Sequence, residues 1–564
     1  MEKHEVECKP DGEGNVCRAA VKGLLEKGIA GGNHKGGFAL YGNLKDDTRE
    51  FVGVGASNRQ GSPYDKSTII RFASQSKLLG GICLAKALEE GIIKLSDPIY
   101  KYYPAFAANF SYYNQDGTVT DTFDGKTILV SNLLSMSTGL GYYFTNWGNL
   151  YPLMTGTGPF PTQTSVANTN RNALIKSKLA TNPNGLFWDW QFDPRINKAY
   201  WDNPTGFQLA TMCDYIEFLL GNIPFLFKPG TNSLRDTCYG MDYDFLGAVL
   251  NKAIQAKNPK SNTWKYMKEK FLEPMHIKSF FQIGNADRPK CLRKKLAETE
   301  FRRPVGNTLP KYPLVEFAPD ESPEYKATKE GQLVWASEFP NDGFYYNETL
   351  FTKVFIKNDP CNGYFGAGWG GTPYDYSKFF ELIFGRGMFR GQRIISEVAL
   401  KLVTTSSLPE FDSFWLLSVN KPPNPSSTEA NPVAQVEPYT NFLSQLSGLP
   451  TGLGDKPLAF GYNETWCAGV VRGNRSFYDA LYANDGSFTE TSIRWGSYYG
   501  TNYFLDTETG NYVMAGVQRD ANSYPSNSPT DNADNWATII FKWLQYGNCN
   551  LDDCNRVSNN CHLY

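Results

Sequence analysis

An α+β protein is predicted from three features of the chain. At its start, residues 15–30 place Val16, Ala20, Val21, Leu24, Leu25 and Ile29 at helical spacing and stop at Gly31-Gly32. Two short strands follow, 37–41 and 50–54, around the polar turn Asn43-Leu44-Lys45-Asp46-Asp47. Next, the apolar run 78–93 reads as a buried helix that ends near Gly91. Near the far end, a strand over 495–506 passes through the turn Thr507-Glu508-Thr509-Gly510 into a second strand over 512–517, and a helix over 535–546 comes after it. Antiparallel hairpins combined with separate helices mark the α+β class.

The helix at 78–93 matters most for function. It is preceded by Phe72-Ala73-Ser74-Gln75-Ser76-Lys77, with a short strand over 67–72 delivering Ser74 to the helix entrance. Residues three apart share a helix face, so the Ser74 hydroxyl and the Lys77 amine can meet. A serine oxygen is a weak nucleophile until a base takes its proton, and a lysine serves where burial lowers its pKa. The pattern recurs as Ser418-Val419-Asn420-Lys421, but Pro422-Pro423 leaves that copy without a helix behind it. The alternative for Ser74 is a plain helix N-cap.

Bulk properties narrow the class. A chain of 564 residues can bury a large core and form two subdomains. A formal net charge of −2, without a basic run of the kind that binds nucleic acid, argues against a nucleic-acid partner. No stretch reaches the eighteen apolar residues of a membrane span, and the start Met1-Glu2-Lys3-His4-Glu5 does not read as a signal peptide. Of 11 cysteines, Cys8, Cys17, Cys549, Cys554 and Cys561 lie at the polar ends and read as disulfide staples, which points to an extracellular or lumenal setting, with a cytoplasmic one as the alternative. Cys83 reads as core. With only 4 histidines, His4, His34, His276 and His562, neither a Ser-His-Asp triad nor a histidine-rich metal site is easy to build, and an activated serine needs another base. No feature implies a metal or any other cofactor.

Several stretches together resemble the serine β-lactamase-like family, which includes class C β-lactamases, penicillin-binding D-alanyl-D-alanine peptidases, and related esterases and acyltransferases. Thr68-Ile69-Ile70-Arg71-Phe72-Ala73-Ser74-Gln75-Ser76-Lys77 is similar to the start of the family's nucleophile helix, and Leu95-Ser96-Asp97-Pro98 to the turn after it. Leu133-Leu134-Ser135-Met136-Ser137-Thr138-Gly139-Leu140 resembles a segment in which the family carries histidine where Met136 stands. Tyr239-Gly240-Met241-Asp242-Tyr243-Asp244-Phe245-Leu246-Gly247 resembles the second motif; the esterase-like spacing selects Tyr239, with Tyr243 as the alternative. Trp369-Gly370-Gly371 copies a third-motif string, yet it leads into Thr372-Pro373-Tyr374-Asp375, a helix opening, and is set aside. Trp495-Gly496-Ser497 instead stands where β-lactamases carry Lys-Thr-Gly.

The resemblance implies a β-lactamase/transpeptidase-like fold: an antiparallel sheet flanked by helices, plus a mostly helical subdomain, with long insertions. The α/β subdomain takes about 1–110 and 345–564, and the helical one about 111–344. Residues 141–228, rich in aromatics, form one insertion, either self-packed or shaping the cleft, and 286–345 form another. The resemblance also implies roles. Ser74 is the nucleophile, and Lys77 and Tyr239 move its proton. The backbone N–H groups of Ser74 and Tyr498 form the oxyanion hole, and Trp495, Gly496 and Ser497 lie against substrate. The implied partner is a small-molecule ester, amide or lactam. Because Trp495 replaces a cation that would pair with a substrate carboxylate, esterase or acyltransferase activity on neutral acyl groups leads. The alternatives are β-lactamase or peptidase activity, and a binding or structural protein without turnover. The oligomeric state stays open.

Overall fold

The computed structural model describes residues 18–112, 121–140, 225, 228–229, 240, 242–282, 295–302, 333–335, 365–404, 464–466, 470–473, 491–497, 499–519 and 534–546. After α1 (Arg18–Ala30) come β1 (Gly36–Asn43), β2 (Glu50–Gly55), β3 (Ile70–Arg71) and α2 (Ser76–Glu89). The hairpin β4 (Asn109–Ser111) with β5 (Thr122–Asp124) and the short α3 (Val130–Leu134) precede α4 (Asp242–Lys257), α5 (Thr263–Met267) and β6 (Phe281–Gln282). Then follow β7 (Glu300–Arg302), β8 (Leu333–Trp335), β9 (Trp369–Gly371), α6 (Pro373–Phe384), β10 (Met388–Phe389), β11 (Gln392–Arg393) and α7 (Glu397–Thr404). The last group is β12 (Glu464–Trp466), β13 (Val471–Gly473), β14 (Ser492–Gly496), β15 (Thr501–Asp506), β16 (Asn511–Gly516) and α8 (Asp534–Tyr546).

Among the described residues, seven strands form one sheet in the order β12-β13-β14-β15-β16-β1-β2. Every neighbouring pair is antiparallel, with Leu40 opposite Met514 and Trp495 opposite Tyr503. Strands from both ends of the chain therefore share one sheet. Side chains alternate across it. Ala39, Tyr41, Val52, Phe504, Val513 and Ala515 face outward into an apolar layer with α1 and α8. Phe38, Leu40, Trp495, Tyr503, Tyr512 and Met514 face inward into the large core that includes α2, α4 and α6. The helix α2 is buried on almost every side, which is why its sequence is apolar all round rather than striped. Cys83 lies in it, buried, and carries a free thiol.

Two strand expectations need correction. The strand over 67–72 is reduced to Ile70–Arg71 because the Asp65 carboxylate accepts from Ser67 N at 2.7 Å and its carbonyl from Thr68 N at 3.0 Å, which turns the chain just ahead of it. The strand over 495–506 is two strands. Ser497 O accepts from Gly500 N at 3.0 Å, and Gly500 sits at φ +78°, so the chain reverses between β14 and β15. The opening at 372–375 is the start of α6, with the Thr372 hydroxyl capping Asp375 N and Pro373 in the first turn. Among the described residues, no helix is long and apolar enough to cross a membrane.

Candidate active site

Ser74 stands on a turn that its neighbours pin from both sides. β3 pairs with β9, Ile70 opposite Gly371 and Arg71 opposite Gly370, and Phe72 N donates to Trp369 O at 2.9 Å. On the other side Arg71 N donates to Gln518 Oε1 at 2.8 Å. The Phe72 ring packs edge-on against Phe280 and Tyr376. Between this anchored strand and α2 the chain makes one 3-10 turn, Ala73–Gln75, and Ala73 sits at φ +43°. A non-glycine residue in that region carries backbone strain, which persists only where its surroundings hold it. The turn keeps Ser74 half-buried while Gln75, Ser76 and Lys77 are fully buried.

Lys77 projects back over the first turn of α2. Its Nζ donates to Ser74 Oγ at 3.3 Å and to Gly366 O at 2.8 Å. The long first contact is one a substrate can tighten, since hydrogen bonds of this kind are often loose without one. Two buried carboxyls at the start of α4 feel the Lys77 charge. Burial pushes Asp244 up to about 6, against the pull of Lys77 and of the Gly366 N–H, which donates to Asp244 Oδ1 at 3.0 Å. Burial likewise pushes Asp242 up to about 7, opposed by Thr138, whose Oγ1 donates to Asp242 Oδ1 at 2.6 Å. In both acids desolvation outweighs the nearby ammonium.

The turn between β14 and β15 is tied to the Ser74 turn. Thr501 O accepts from Ser497 N at 2.8 Å and from Gln75 Nε2 at 2.9 Å, so one carbonyl binds both segments. Tyr376 OH donates to Gln75 O at 2.8 Å and closes the other side. Trp495 is buried on β14 in the inward core, and Gly496 ends that strand opposite Asn502. Trp369 N donates to Ser76 Oγ at 3.1 Å, so the set-aside Trp-Gly-Gly string braces the start of α2. Tyr239 and Tyr498 lie outside the described residues. Tyr243 is buried, its ring near Gly80 and its hydroxyl donating to Leu134 O at 3.2 Å.

Residues 21–152 match the family model described as Beta-lactamase. Simvastatin synthase LovD from Aspergillus terreus superposes with a TM-score of 0.53 at 14% identity, covering 94% of this chain and 98% of that one. EstCE1, a hydrolase with promiscuous acyltransferase activity, gives 0.51 at 13% identity over 94% and 98%. The chain has the β-lactamase/transpeptidase-like fold. The D-amino acid amidase from Ochrobactrum anthropi SV3 shares this fold at a TM-score of 0.50 and 12% identity, over 94% of this chain and 98% of that one. In sequence, 86 residues are 31% identical to the acyltransferase calJ of Penicillium decumbens. That stretch is 15% of this chain and spans 21% of the length of the relative.

On this β-lactamase-like frame the structure brings Ser74, Lys77 and the β14 end into one region, through Gln75 and Thr501. Sequence reasoning passed over Gly366, Asp244 and Gln75. Asp244 had a signal available: an acid on the face of a helix otherwise rich in apolar residues, inside a segment already singled out. Gln75 had a weaker one, a long polar side chain at the start of an apolar helix.

Proposed function

We propose that this chain is a serine hydrolase or acyltransferase that works through an acyl-enzyme on Ser74. One observation carries the reading: a fully buried lysine, Lys77, whose Nζ lies 3.3 Å from Ser74 Oγ at the strained start of a buried helix. The cap residue of α2 is Gln75 rather than Ser74, and Ser74 Oγ accepts from Lys77 Nζ.

In this reading Ser74 Oγ attacks the carbonyl carbon of the substrate and loses its proton to the Lys77–Tyr239 pair. The carbonyl oxygen gathers negative charge in front of the Ser74 and Tyr498 N–H groups. Collapse of the tetrahedral intermediate breaks the bond to the leaving group, which takes the proton back. Water or an acceptor hydroxyl then attacks the acyl-enzyme by the same route in reverse. Tyr239 is preferred over Tyr243 because the Tyr243 hydroxyl already donates to Leu134 O within the core.

The substrate class follows from Trp495. It supplies a buried aromatic ring, with no positive charge, at the place where β-lactamases hold a cation for the substrate carboxylate. Neutral acyl esters are therefore favoured over β-lactams and carboxylate-ended peptides. The acyltransferase and the hydrolase that this chain resembles support acyl transfer as the reaction class. A non-catalytic binding protein would have no use for a lysine buried against a serine, since burying the ammonium is costly.

The test is intact mass after incubation with a fluorophosphonate probe. The parent should gain one adduct and Ser74→Ala none. A folded parent that gains nothing, or a Ser74→Ala protein that gains the same adduct, ends the reading. Ester and lactam panels on the unlabelled parent then separate the substrate classes.

A further inference from the structure

We infer that Asp244 is a positioning residue for Lys77, acting through Gly366; the inference rests on the Ser74–Lys77 reading above. Three contacts form a line. The Gly366 N–H donates to Asp244 Oδ1 at 3.0 Å, the Gly366 carbonyl accepts from Lys77 Nζ at 2.8 Å, and Lys77 Nζ reaches Ser74 Oγ at 3.3 Å. The N–H and C=O of Gly366 lie in consecutive peptide planes that meet at its Cα, so the Asp244 bond anchors the residue whose carbonyl holds Lys77. All three members are buried, which makes each charge-assisted bond stronger and each loss more costly.

The fit depends on glycine. A Cβ at residue 366 would stand 2.1 Å from Asp244 Oδ2 and 2.4 Å from its Cγ. No side chain fits there unless the carboxyl moves. The segment around Gly366 is also held from outside the line, because Phe365 stacks on Trp369 and Trp369 N is bonded to Ser76 Oγ on the nucleophile helix. The brace is thus built from three parts of the chain that have no local reason to meet.

The charge of Asp244 also reaches Lys77. Asp244 and Asp242 from α4 both feel the Lys77 charge, and Asp244 also bonds Gly366. An ionised Asp244 is a stronger acceptor for the Gly366 N–H than a neutral side chain of the same shape. Asparagine keeps the shape and an acceptor oxygen for Gly366 but removes that charge. A residue that only fills space would be insensitive to the exchange.

The experiment is the rate of fluorophosphonate adduct formation on Ser74 across pH, for the parent, Asp244→Asn and Gly366→Ala, with melting curves for each. The expected result is a rate at least tenfold lower in Asp244→Asn at a parent-like melting temperature, and an equal or larger loss in Gly366→Ala. A folded Asp244→Asn protein with the parent's rate at every pH overturns the inference. So does a lower rate that comes only with a matching fall in melting temperature, which would mark Asp244 as structural only. Should Asp244→Asn not fold, Gly366→Ala decides: parent-like labelling overturns the brace, and loss of labelling at a parent-like melting temperature supports it. A parent that forms no adduct at all fails the Ser74 reading itself, an outcome distinct from any of these.

Discussion

On the outer face of the sheet, Ala39, Val52, Val513 and Ala515 meet Val21, Leu25, Ile540 and Phe541 from α1 and α8 in a mostly apolar layer, where the buried Asp506 of β15 is bonded to Gln545 of α8. On the inner face the same strands meet α2, α4 and α6 across a core of similar side chains, but Gln75, Ser76, Lys77, Asp242 and Asp244 are buried among them. The outer layer is what a sheet needs to be stable. The inner one carries polar groups whose desolvation works against stability; many of them bond one another or the backbone, while Gln75 Oε1 and Asp242 Oδ2 are buried without a partner. Groups that weaken a fold and are nevertheless kept are best explained by chemistry done there.

Two substitutions separate these roles. Lys77→Ala should lower Ser74 acylation by roughly 10²–10⁴-fold, the usual contribution of a positioned base, while moving the melting temperature little. Probe labelling and thermal unfolding, measured side by side, check this. Phe541→Ala should do the reverse. Its ring stacks on Phe504 with centroids 5.2 Å apart, and its loss should cost about 3–5 kcal/mol in denaturant unfolding with labelling intact below the melt. If Lys77→Ala destabilised the protein as much as Phe541→Ala, the inner polar set would be structural, and the contrast between the two faces would fail.

What could be read in the sequence was what is local. Ser74 and Lys77 stand three residues apart on one turn, and helix geometry alone brings them together. The capped start of α6 was legible for the same reason, as Thr372 and Pro373 do their work within four residues. The brace on Lys77 was not. Its carbonyl comes from Gly366, 289 residues away, and the acid that accepts from the N–H of Gly366 lies 122 residues from it, and no periodicity records such pairings. The reversal between Ser497 and Gly500 was hidden by a stretch of sequence that favours strands, although Gly500 marked the left-handed position a turn requires. The link from Gln75 to Thr501, 426 residues on, belongs to the same class of non-local contact.

The smallest predicted effect bears on what the inner face does to stability. Asp242 is fully buried, and burial lifts its carboxyl to about 7, while in the unfolded chain it returns to the ordinary carboxylate range. The folded protein therefore holds a proton that the unfolded one has lost through the interval from about 4 to 7. Stability falls with rising pH wherever the native state binds the extra proton, so the contribution of Asp242 is complete below the unfolded value and is lost as pH climbs through 7. Asp244 adds a second decline that runs from about 4 and ends near 6. Asp242→Asn keeps an oxygen to accept from Thr138 and removes the ionisation. Its melting temperature should be higher than the parent's at pH 8, by an amount equivalent to roughly 1–3 kcal/mol, and nearly equal at pH 4. Between those limits its curve should flatten above pH 6 and keep the decline that Asp244 supplies. A variant whose curve runs parallel to the parent's from pH 4 to 8 would mean that this carboxyl ionises alike in both states, and the inner face would then tolerate its charge as easily as water does.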